Sequence, residues 1–499
     1  MQRQSRRRAA LTTLGGTGAT VAITVAQAFL LIPLCLTHLG TALYGAWLGA
    51  AELLIWVQLL DLGIPNLMTQ RIGAAAGRQD DRAAAKWCAT GLWVLAGIGA
   101  GLTGLAIIAA PFVTVWARVP AEDAAAFTQS FRIGACASGM LLWYHAMLGI
   151  ARGLQMTTLV NAAQVAGAVT GLAITASLLL AGFGVRALAL GLLARAIVSL
   201  GGGLLFLAAA RRASAIRWAR PSTDVLREIL VLAPSMAGAN AGYLLANNSE
   251  VLLVSTMFGP VPAAVYALTR RAIEGVRSLL DSIAWAVYGG FAHLVTADDR
   301  HRARGVLHEV IWLRLAAACV CGAVALSVNE AFVTLLFGPE NFGGFWLTTG
   351  FAVQMIVSGQ AFLANYLLRA AGRVGEGSIL LAAEAVGRVS AAAAALLIVG
   401  LAGAPWAATA VSACALVFTL RRLDRELPST AAESDPIWMG LGPGLILVLG
   451  VAVAFVTIPI TWPAVAGVAT LMTLCGLATL WWLLPPEIGQ GSLLRWTRS

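Results

Sequence analysis

Lysine is almost missing from this chain. Lys86 is the only one among 33 basic residues, and three alanines precede it. A phosphate-binding loop of the Gly-Lys-Ser/Thr type is therefore absent, so the chain is not expected to hydrolyse ATP itself. Charge of either sign is scarce, at 11% of residues, where a soluble domain carries about 25%. With 59% hydrophobic residues, that excludes an ordinary soluble fold and indicates an integral membrane protein. The five histidines form no His-Glu-x-x-His motif, and no nucleophile–base arrangement stands out. No cofactor or metal is expected. The seven cysteines (35, 88, 136, 319, 321, 414 and 475) lie in or beside apolar runs without a Cys-x-x-Cys pair, and read as small buried hydrophobes.

What remains is a succession of apolar runs, from 11–37 to 464–484, each near the length that crosses a bilayer. Their number gives an all-α integral membrane protein with about 14 transmembrane helices. Ser5-Arg6-Arg7-Arg8 faintly resembles a twin-arginine export signal, but the apolar run after it reaches Thr37 and reads as a retained helix. The net charge of +10 needs no nucleic acid, because the basic residues sit in alternate loops. Arg118, Arg132 and Arg186 are the only ones assigned to the opposite side, which predicts cytoplasmic termini. All outer loops are short, leaving no room for an external domain.

The chain also repeats itself. Leu39-Gly40 followed by Tyr44-Gly45 matches Phe258-Gly259 followed by Tyr266-Ala267. Arg78-Gln79-Asp80-Asp81-Arg82 matches Asp298-Asp299-Arg300-His301-Arg302, and Ala151-Arg152-Gly153 matches Ala371-Gly372-Arg373. Six spans per repeat predict two six-helix lobes related by a pseudo-twofold along the membrane normal, with a central cavity. The predicted domains are 1–215 and 216–425 for the lobes, and 426–499 for a linker, two C-terminal helices and a tail.

The most informative stretch is Tyr266–Asp281. At 100° per residue, Arg270, Glu274, Arg277 and Asp281 fall on one helix face, with Arg271 on its flank. Facing lipid, these charges would cost about 2.5–3.5 kcal/mol each. They must face protein or water. One reading is a cationic wall for a phosphate, since arginine pairs bidentately with phosphate oxygens. The other is internal cancellation through i,i+3 and i,i+4 pairs, which leaves Arg271 over. Superposing Tyr44 on Tyr266 places Glu52 opposite Glu274 but sets Leu48, Gly49 and Ile55 opposite the three arginines, so only the second half carries them. Arg195 lacks a helical partner and is a candidate cavity residue. Arg388 has Glu384 one turn earlier, which favours a local pair over a ligand contact. Arg314 lies close enough to a helix end to snorkel. Asp61 opens an Asp-Leu-Gly-Ile-Pro segment that predicts a kink. Asp61, Glu52 and Glu250 are candidates for ion coupling or gating.

Leu39-Gly40, Tyr44-Gly45, Asp61-Leu62-Gly63, Leu232-Ala233-Pro234, Phe258-Gly259, Tyr266 and Leu336-Phe337-Gly338-Pro339-Glu340 occur in an order and spacing that resembles the polysaccharide-biosynthesis (O-antigen type) flippases of the multidrug/oligosaccharidyl-lipid/polysaccharide (MOP) exporter superfamily. The resemblance covers roughly residues 10–425. Where that family commonly has an Asp-Arg pair, this chain has Ser249-Glu250, and no functional role is carried over there. The resemblance implies a bacterial inner-membrane transporter for an oligosaccharide linked through pyrophosphate to a polyprenol, with polysaccharide polymerase machinery as a partner to look for. The substrate-site candidates are then Arg270, Arg271, Arg277, Glu274, Asp281, Arg195 and Arg388. Proton or Na+ counterflow through Glu250, Asp61 or Glu52 stays open. So do a peptidoglycan lipid-precursor flippase and a drug/cation antiporter of the same superfamily. The antiporter would favour an acidic cavity. A membrane polymerase would need a long external loop that this sequence lacks.

Overall fold

The computed structural model describes residues 2–59, 61–212, 219–296, 300–427, 436–454 and 459–482. These form helices α1 (Gln2–Leu59), α2 (Ile64–Gly77), α3 (Asp81–Trp116), α4 (Ala124–Gly153), α5 (Thr158–Leu180), α6 (Arg186–Arg212), α7 (Thr223–Asn248) and α8 (Glu250–Phe258). The remaining helices are α9 (Pro260–Thr296), α10 (Arg300–Phe337), α11 (Phe345–Ala370), α12 (Val374–Val399), α13 (Gly403–Glu426), α14 (Pro436–Ala454) and α15 (Trp462–Trp482). Ten described helices are long and apolar enough to cross a membrane. α9 is not among them, because its charged stripe interrupts the apolar run.

The breaks follow local chemistry. The first two predicted spans meet in α1 at a kink, where Gly40 takes φ 73° and divides the element into two helical parts, a conformation that disfavours side chains with a Cβ. Gly259, its repeat counterpart, has φ 94° and separates α8 from α9. The kink expected at Asp61 is a full break. The Asp61 carboxylate accepts the Gly63 amide at 2.9 Å, Leu62 and Gly63 both take positive φ, and Pro65 sits in the first turn of α2. The acid therefore shapes a turn. The run expected at 229–257 likewise divides into α7 and α8 at Ser249.

The chain forms two compact units. The first comprises residues 1–244 and 251–264. At its centre is α4, with 67% of its most apolar stretch buried, against 22% for α3, whose Ile108, Phe112 and Val115 point outward to where lipid would lie. Met68, Trp87, Tyr144 and Met147 join one core, and the Tyr144 hydroxyl donates to the Val160 carbonyl at 2.7 Å. α1 approaches the α8–α9 junction so closely that a Cβ on Gly49 would lie 2.6 Å from Ser255 Oγ. Gly49 is the position that matches Arg271, so the first half uses this face for helix contact and leaves no room for a long cation.

The second unit comprises residues 245–250 and 265–499. Its central helix is α11, 78% buried over its apolar stretch. α10 packs against it and is covered by α14 and α15 through Trp312, Val320, Ile446 and Met472. Arg304 of α10 pairs with Asp424 at 3.0 Å, and Arg373 before α12 pairs with Glu426 at 2.7 Å, tying both helices to the end of α13. The cysteines are free as expected, but Cys136 and Cys414 are exposed on their helices instead of buried.

Candidate functional site

The charged residues of the second unit converge on Glu250. This acid opens α8 just after the Ser249 break, where a helix N-terminus favours negative charge. It is only 4% exposed. Its carboxylate accepts from the Tyr266 hydroxyl at 2.8 Å, from Arg270 Nη1 at 3.3 Å and from Gln354 Nε2. Arg388 Nη2 lies 3.6 Å from its other oxygen. The carboxylate that is a candidate for ion coupling has two guanidinium groups beside it.

From there the charges alternate. Arg270 Nε reaches Glu274 at 3.4 Å, Arg277 reaches Glu274 at 2.5 Å, and its Nη1 reaches Asp281 at 3.5 Å. Arg314 Nη2 donates to Asp281 at 2.8 Å. The row runs Arg388, Glu250, Arg270, Glu274, Arg277, Asp281, Arg314 across α12, α8, α9 and α10. Four guanidinium groups face three carboxylates, leaving one net positive charge. Each pair expected along α9 forms. Arg271 is exposed and has no ion pair among the described residues.

Two expectations for lone arginines fail. Arg314 does not snorkel: it is 0% exposed and bonded to Asp281. Arg388 does not pair with Glu384, because Glu250 competes for it and Glu384 accepts instead from Ser412 Oγ at 2.6 Å. Arg195, Glu52 and Asp61 belong to the first unit. Arg195 Nε is buried without a hydrogen-bond partner among the described residues.

Arg270, Arg277 and Arg388 turn part of their surface to a pocket of about 340 Å³, including its open mouth. Glu274, Gln354 and Ser358 add polar groups, while Ile273, Phe351 and Met355 make the apolar wall. Three cations and one acid line it, so it suits an anion with several oxygens. Sequence reading missed Gln354 and Ser358. At i and i+4 on an apolar helix they share a face, and that was the available signal.

Gly359 was also missed. A Cβ there would come within 1.7 Å of Arg314 Nη2. Gly359→Ala is therefore expected to displace Arg314 from Asp281 and to lower stability by about 1–3 kcal/mol. Thermal unfolding of the purified protein checks this, and an unchanged midpoint counts against the close fit.

Residues 73–341 match the family described as polysaccharide biosynthesis protein. No curated protein matches the chain by sequence. Among solved structures, an inward-facing multidrug resistance MATE family transporter of the MOP superfamily aligns with TM-score 0.60 and 15% identity, covering 83% of this chain and 96% of its own. A MATE transporter from Vibrio cholerae aligns with TM-score 0.62 and 13% identity, covering 86% and 99%. A MOP superfamily transporter from Pyrococcus furiosus, described as having a binding pocket of reversed polarity, gives 0.57 and 15%, covering 85% and 96%. At these identities the likeness establishes the fold.

Proposed function

Because the chain belongs to the polysaccharide biosynthesis protein family and has the fold of MOP superfamily transporters, we propose that it is a flippase for a polyprenyl-pyrophosphate-linked oligosaccharide. The membrane would be a bacterial inner membrane, with both termini in the cytoplasm. The observation that carries the reading is the pocket lined by Arg270, Arg277 and Arg388. A pyrophosphate supplies the oxygens that three guanidinium groups can hold. An antiporter for cationic drugs would want the opposite charge there. Export of negative charge is favoured by an inside-negative potential, by about 2.3 kcal/mol per charge per 100 mV. Alternating access could then run without ATP.

Alanine replacements of Arg270, Arg277 and Arg388, made singly, test the reading. Each should weaken pyrophosphate binding by roughly 10–100-fold, the worth of about 1.5–3 kcal/mol for a charged hydrogen bond. Surface polysaccharide should fall in a strain that depends on this gene. Undiminished export in all three, at normal protein levels, would remove the anion pocket from the mechanism. Arg271→Ala, outside the row of pairs, serves as comparison: an equal loss there would place the anion on the exposed flank of α9.

A further inference from the structure

A second polar path leaves the same pocket and ends on an acid that the charged row does not use. Ser358, on the pocket wall, donates through Oγ to Ser412 Oγ at 3.0 Å, and Ser412 Oγ donates to Glu384 Oε1 at 2.6 Å. The three residues come from α11, α13 and α12. Ser412 is 0% exposed, and Ser358 and Glu384 are each 8% exposed. Glu384 forms no ion pair among the described residues, although its helix carries Arg388 one turn on, held by Glu250. From α13 it is approached by neutral Ser412, and α11 reaches it through that hydroxyl, from neutral Ser358. An ionised carboxylate with one hydroxyl partner is expensive in such surroundings, whereas its acid form can both donate and accept.

We propose that Glu384 is a proton-binding site, connected to the anion pocket through Ser358 and Ser412, and that the protein binds a proton together with its anion. Transfer needs no cofactor. A proton entering from the pocket forms a bond to Ser358 Oγ as the original Ser358 proton passes to Ser412 Oγ. The Ser412 proton passes to Glu384 Oε1, so each hydroxyl ends as it began and the carboxylate becomes an acid. The chain reverses by the same hops. An anion held by Arg388 compensates the positive field that favours an ionised Glu384, so anion and proton promote each other's binding, and the coupling is reciprocal. This last step rests on the anion-pocket reading, while the proton site itself does not.

Infrared spectroscopy of the purified, anion-free protein tests the site. A protonated carboxylic-acid band is expected at neutral pH, lost in Glu384→Gln and shifted in Ser412→Ala, which removes its hydrogen bond. Deuterium exchange of that band should slow in Ser358→Ala, an effect that a purely structural hydroxyl would not produce. Absence of the band from wild type, its survival in Glu384→Gln, or exchange unaffected by Ser358→Ala would overturn the proposal. Calorimetry with inorganic pyrophosphate in buffers of different ionisation enthalpy tests the coupling. Wild type should take up protons on binding, and Glu384→Gln should not. Equal uptake in the two overturns the coupling. Wild type that binds no pyrophosphate overturns the anion pocket, and the infrared result still decides the proton site.

Discussion

Glu250→Ala should be the most damaging single substitution in the second unit, costing about 3–5 kcal/mol of stability. The carboxylate is nearly inaccessible and holds Arg270, Arg388, Tyr266 and Gln354 together. Removing it leaves two guanidinium groups facing each other inside a membrane domain, and the penalty is that of the uncompensated charge more than of any lost bond. Arg270 keeps Glu274, but Arg388 has no other ion pair among the described residues. Glu250→Gln retains acceptors for Tyr266 and one arginine and should fall between wild type and alanine. Adding Arg388→Met to Glu250→Gln should recover part of the loss, because one of the stranded charges is gone. Unfolding of detergent-purified protein measures the series. A Glu250→Ala midpoint equal to wild type would mean that this carboxylate does not organise the arginines. Transport should fail in all these variants, since two of the three pocket cations take their position from Glu250.

This hub marks where reading the sequence stopped. The helices were legible because most spans announce themselves by hydropathy, and even the breaks at Gly40 and Gly259 coincide with the repeated glycines. That the α9 charges must face protein followed from the cost of exposing them to lipid. Their pairings within α9 followed from helical spacing, which brings i+3 and i+4 together. The same rule misled at Arg388. It considers only one helix, and there Glu384 was the sole acid in reach. In the folded unit Glu250, remote in sequence, arrives at the N-terminus of α8 with Tyr266 and Gln354 to orient it, while Ser412 satisfies Glu384. Arg314 misled in a similar way: nearness to a helix end allows snorkelling only if no buried acid competes, and Asp281 does. Partner choice across helices depends on packing, which spacing along one helix does not encode. The asymmetry between the halves was visible as Leu48, Gly49 and Ile55 against three arginines. Its reason was not, because it lies in the close contact of Gly49 with Ser255.

Asp281 and Arg314 allow structure to be separated from transport. Arg314 is fully buried, and Asp281 Oδ1 is its ion-pair partner at 2.8 Å. Asp281→Asn alone should cost about 3–5 kcal/mol, because the arginine remains charged with no acid beside it. The double variant Asp281→Leu/Arg314→Met removes both charges and fills similar volume. It should be neutral or more stable than wild type by as much as about 4 kcal/mol, as buried ion pairs replaced by apolar residues often are. Arg277 would lose Asp281 but keep Glu274, so the pocket wall should stand. A double variant no more stable than the single one would show that the pair is not an isolated energetic unit. The transport assay then separates two roles. A stable double variant that still exports polysaccharide makes the pair a clamp between α9 and α10. A stable double variant that does not export makes Arg314 the buried end of the cationic path, a charge kept at a cost in stability because the anion needs it.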